Sequence, residues 1–129
     1  MASMHIAEAD WKRLRKLKEV ALDRLCAAIL RECRDITIAE GQTTHERYLA
    51  LFRHIRERDA DVADAFDGLS RSTAVQRLAA MCALDLVAEE ELAEFSPDTQ
   101  RSVRSLLELL YRRPTGRRLT LVAGDEGPV

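Results

Sequence analysis

The sequence predicts an all-α protein: a compact array of five or six helices around a long N-terminal helix, with an irregular C-terminal tail. Three observations carry that expectation. Apolar residues recur in steps of three and four along most of the chain, the spacing of one helix face. Good helix-start residues stand at the joints between these runs. The segment Val20-Ala21-Leu22-Asp23-Arg24-Leu25-Cys26-Ala27-Ala28-Ile29-Leu30-Arg31-Glu32-Cys33 is apolar nearly all round at 3.6 residues per turn, which marks a helix packed on several sides. Only Asp23, Arg24, Arg31 and Glu32 give it a polar strip.

The totals bound the function classes. A chain of 129 residues is one domain by size. With 47% hydrophobic and 33% charged residues it has material for both a core and a solvated surface, which excludes global disorder. A net charge of −2 argues against a general polyanion binder, although a local basic face remains open. No apolar run reaches the roughly 18–20 residues of a membrane span. The first residues lack the basic-then-apolar order of a signal peptide, so the expected location is the cytoplasm. Cys26, Cys33 and Cys82 fall on apolar faces and read as reduced core thiols. Cys26 and Cys33 are roughly 10 Å apart along one helix, too far to bridge.

Residues 1–9 read as a flexible lead, 10–113 as a single helical-bundle domain, and 114–129 as a tail. Asp10 is placed to cap a first helix over 10–39 whose apolar positions include Trp11, Leu14, Leu17, Ala21, Leu25, Ile29, Cys33 and Ile36; Gly41 ends it. Thr43 and Glu46 form a capping box for a second helix over 44–58, with Tyr48, Leu51, Phe52 and Ile55 as its buried stripe. Arg53 and Glu57 are spaced to pair on it. Asp59 or Asp61 would cap a short third helix carrying Val62, Ala65 and Phe66, broken by Gly68. Ser70-Arg71-Ser72 opens a helix over 72–86 that buries Val75, Leu78, Ala79, Cys82 and Leu86. An acidic turn over 88–94 presents Leu92 and Phe95. Ser96-Pro97-Asp98 is the clearest helix start: cap serine, proline at the first position, acid in the first turn. That last helix, over 97–113, turns Val103, Leu106, Leu107 and Leu110 inward, and Pro114 stops it. Leu119-Thr120-Leu121-Val122 reads as an edge strand or a groove cover, and residues 124–129 as disordered.

The candidate chemistry is thin. His54 with Glu57 shares one helix face with Asp61, but a carboxylate–histidine metal site in a bundle needs a second such pair and further acids. Asp59, Asp61, Asp64 and Asp67 suggest a calcium loop; counting from Asp59, the sixth position is Asp64 rather than glycine and the twelfth is Ser70 rather than glutamate. Gly41-Gln42-Thr43-Thr44 offers amides to an anion, some of which the capping box consumes. No nucleophile stands in a reactive pattern. No cofactor and no metal is therefore expected, and an enzyme is disfavoured.

Charge is the stronger signal. Lys12, Arg13, Arg15, Lys16 and Lys18 crowd the first turns beside Trp11, and Glu90, Glu91 and Glu94 form the opposite pole. Such poles on a near-neutral chain suit contacts with another protein or with a second copy. The expected function is thus a non-catalytic, cytoplasmic helical protein-interaction module, a homodimer included. The alternative is nucleic-acid binding through Lys12–Lys18 and the arginines of 101–118, a helix-turn-helix over 72–113 among its forms. A helical metal-dependent enzyme comes third.

Overall fold

The computed structural model describes residues 5–111. These form five helices and no strand: α1 (Glu8–Thr37), α2 (Thr44–Phe66), α3 (Ala74–Ala83), α4 (Glu89–Leu92) and α5 (Pro97–Leu110). The all-α expectation therefore holds over them. Residues 112 and 113, the segment 119–122 expected as an edge strand or groove cover, and the end at 124–129 expected to be disordered lie outside the described residues.

α1 starts earlier than the capping pattern suggests. Ala7 is its cap residue, and Glu8 and Asp10 both occupy its first turn, where acids complement the helix dipole. Asp10 does not cap α1; its carboxylate crosses to the start of α5. Gly41, at φ +83°, allows the turn between α1 and α2. The capping box forms as expected: the Glu46 amide donates to Thr43 Oγ1 at 3.0 Å, and the Thr43 amide to Glu46 Oε1 at 2.9 Å. α2 then runs unbroken to Phe66, which overturns the two helices expected there. Asp59 and Asp61 lie inside it. Arg58 holds Asp61 at 2.7 Å within the helix, and neither Gly nor Pro interrupts the chain between Thr44 and Phe66.

The hub is α3, not α1. It packs against α1, α2 and α5. Small residues make that possible: Ala74, Ala79, Ala80 and Ala83 are all buried and let three neighbours approach, while Leu78 and Met81 fill the space between them. Leu14, Ala21 and Leu25 of α1, Phe66 of α2, Leu92, Phe95 and Val103 complete this core. Ser96 caps α5 as expected, its hydroxyl accepting from the Thr99 amide, with Pro97 following. Leu110, expected inward, is 63% exposed where α5 runs past the core.

Burial is uneven along the two long helices. The buried residues of α1 end at Leu25, and those of α2 are Ala65 and Phe66. No residue from 26 to 64 is buried. The distal halves of α1 and α2 thus form a two-helix arm that α3–α5 are too short to cover. This corrects two expectations. The 20–33 segment is packed on one side only, leaving Val20, Cys26 and Leu30 exposed. Tyr48, Phe52 and Ile55, expected as a buried stripe, are 61%, 52% and 47% exposed.

The cysteines divide accordingly. Burial pushes the Cys82 thiol up to about 12, whereas Cys26 lies on the surface. Iodoacetamide at neutral pH should alkylate Cys26 first and reach Cys82 only on unfolding, as peptide mass mapping would show. Rapid labelling of Cys82 in the native protein would contradict this packing.

Candidate functional site

Two polar clusters set the geometry of the surface. The first fixes the body. The Asp10 carboxylate is 1% exposed and accepts from the Ser96 amide at 3.1 and 3.2 Å, the Ser96 hydroxyl at 2.6 Å and the Thr99 hydroxyl at 2.7 Å. Arg13 adds a contact at 3.2 Å. Burial pushes this carboxyl up, but the Ser96 and Thr99 hydrogen bonds and Arg13 outweigh it and hold Asp10 below the ordinary range. The start of α1 is thereby tied to the start of α5.

The second cluster fixes the arm. Glu32 of α1 holds two groups of α2: His54 Nε2 at 2.7 Å and Arg58, whose Nε donates at 3.0 Å. Arg58 in turn reaches Asp61. Burial pushes Asp61 up despite the Arg58 guanidinium beside it. His54 therefore faces α1 and not Glu57. Among the described residues no three His, Cys, Asp or Glu side chains gather as a metal ion requires.

With His54 turned inward, helix geometry places Phe52 roughly 160° away, on the outer side of α2. There Tyr48, Leu49, Phe52 and Ile55 form an exposed apolar stripe. Leu49, Phe52, Arg53, Arg56 and Glu57 line a shallow groove on it. The Arg56 guanidinium lies 5.6 Å from the Phe52 ring centre, and the His45 ring stacks near Tyr48 with centroids 6.5 Å apart. The stripe belongs to a longer one. Tyr48, Ile55 and Val62 repeat every seven residues and drift only about 20° per step. The end at Val62 and Phe66 enters the core; the end at Tyr48 and Phe52 has no cover among the described residues.

The charged candidates fare differently. Lys12, Arg13, Arg15 and Lys16 are exposed and Lys18 is half-buried. They spread over about 220° of the circumference of α1, so they make no single face. Trp11 is not beside them on the surface: it is 9% exposed, and Arg71 covers its ring at 5.3 Å. Arg71 also forks onto Glu8 at 3.1 and 3.0 Å. Of the acids, Glu91 is held within the fold. Arg24 binds it bidentately at 2.7 and 2.9 Å, which keeps its carboxyl below the ordinary range, and the Ala88 amide donates to it. Glu90 and Glu94 are exposed. Of the expected arginine face of α5, Arg101 pairs with Asp98 and Arg104 is exposed; Arg112, Arg113, Arg117 and Arg118 lie outside the described residues.

Sequence reasoning missed the Glu32–His54–Arg58 cluster, since it depends on the register of the hairpin. The exposure of the α2 stripe had one available signal: helices of ten and fourteen residues cannot cover a pair of thirty and twenty-three. No protein-family model, curated protein or solved structure matches the chain. No helix among the described residues is long and apolar enough to cross a membrane.

Proposed function

We propose that this chain is a non-catalytic, cytoplasmic protein-interaction module that docks through the outer face of α2. The observation that carries this reading is the amphipathic stripe whose far half leaves the core uncovered, with Phe52 at its centre. Contiguous exposed apolar surface on a folded domain marks a contact site more often than it marks a solvated face. An aromatic side chain flanked by Arg53 and Arg56 has the composition of an interface centre. Lys12, Lys16, Glu90 and Glu94, free to act at long range from the body, would steer the approach.

The test is a pull-down with the full chain and with Phe52→Glu as baits, washed at low and high salt, identifying protein and nucleic acid in both eluates. A discrete protein retained by the wild type at high salt and lost with Phe52→Glu is the expected result. Nucleic acid held only at low salt, and lost when Lys12 and Lys16 become alanine, would overturn it in favour of phosphate binding. Bait alone under every condition, with the bait itself monomeric, would also overturn it.

A further inference from the structure

The order of residues along the stripe identifies the partner more closely. Resting on the interaction reading above, we propose that the stripe docks on the same stripe of a second copy of this chain, the two α2 helices antiparallel about a two-fold axis at Phe52. Seven residues before Phe52 stands His45, and seven after it Asp59, each roughly 10 Å from the centre. Both lie within about 20° of the Phe52 line, so they share its face. A two-fold axis at Phe52 reverses the order of the second copy. His45 then meets the second copy's Asp59, Tyr48 lies beside its Ile55, and Leu49 lies along the aliphatic stem of its Arg56. Phe52 meets its own equivalent at the axis. The stripe is therefore self-complementary, an imidazole donor meeting a carboxylate at each end and apolar side chains meeting between them, which an isologous interface requires.

The other arrangements are disfavoured by charge. A parallel two-fold pairing sets Arg56 on Arg56 and Asp59 on Asp59, like charges that oppose docking. Residues 112–129 contain the apolar run Leu119-Thr120-Leu121-Val122, but Arg112, Arg113, Arg117 and Arg118 precede it. That basic segment would have to approach a stripe already flanked by Arg53 and Arg56. A second copy brings its own Arg53 and Arg56 to the centre, but its Asp59, on the same face, offsets part of that charge. The cluster that joins Glu32 to His54 and Arg58 supports the dimer from behind. It holds α2 to α1 on the face opposite the stripe, so docking needs no rearrangement.

Sedimentation equilibrium of the full chain tests this. The expected wild-type result is a species of twice the 14.6 kDa chain mass, in a concentration-dependent equilibrium. Phe52→Glu sets two carboxylates against each other at the axis and should weaken the dimer at least about tenfold, as loss of a central anchor does. Circular dichroism should show its helices intact, because the side chain is half-exposed in the monomer. His45→Glu alone should also weaken the dimer, and adding Asp59→Lys should restore it. That rescue reports a contact between copies, since the two residues are fourteen positions apart within one chain. A monomer up to roughly 1 mM, the weak end of specific affinities, would overturn the proposal, as would a dimer indifferent to Phe52→Glu or one that the charge swap fails to restore. A monomer whose capture of another protein still depends on Phe52 would sink the self-association alone and leave the interaction reading standing.

Discussion

Asp10→Ala is expected to destabilise the fold by about 2–4 kcal/mol, measured by urea unfolding with m unchanged. The carboxylate is buried and accepts from three protein donors at the cap of α5. Removing it leaves the Ser96 amide and the two hydroxyls without their acceptor, and each orphaned buried donor costs about 1–3 kcal/mol. The hydroxyls can rotate to other partners, which keeps the sum below the maximum. The same bonds predict a pH dependence. Because the folded protein holds Asp10 below its ordinary value of 3.8, the unfolded chain binds its proton first as pH falls. The stabilisation is therefore fully present above about pH 5, and is lost as the pH drops below 4 and through the folded value. Asp10→Ala should flatten that acid limb. An unchanged acid limb would mean that another carboxylate dominates.

Leu25→Ala should cost about 2–5 kcal/mol, the range for a buried leucine. Leu25 is fully buried, the last residue of α1 to be so. Leu30→Ala, only five positions on, should cost less than about 0.5 kcal/mol, because Leu30 is 68% exposed. Equal losses at the two sites would contradict the boundary between body and arm.

The sequence announced the helices better than their coverage. The starts at Thr43 and Ser96 were legible because a cap is a local pattern, fixed by residues within one turn of each other. The buried set of α3 was legible for a similar reason: Val75, Leu78 and Ala79 repeat at helical spacing, and the helix is short enough to lie wholly within the core. The stripe on α2 failed because periodicity reports which residues share a face and says nothing of what lies against it. Tyr48 and Val62 belong to one stripe, yet among the described residues only the second packs against the core. Asp10 failed differently. Its residue type suits a cap, and it does satisfy the start of a helix, but of α5, 86 residues away in the chain. The paired Glu32 and His54 left no local trace at all.

The division of the molecule at Leu25 also sets a clock. Backbone amides around Leu14, Leu78 and Val103 lie in the packed body and should exchange with deuterium only when the whole chain opens. Those of the helical stretches 26–37 and 48–57 are held by helical hydrogen bonds with little apolar burial behind them, so the arm should open and close on its own, many times for each global event. The arm can thus be remade, turn by turn, without disturbing the fold that carries it. A partner seated on α2 would slow exchange there and leave the body's rate unchanged.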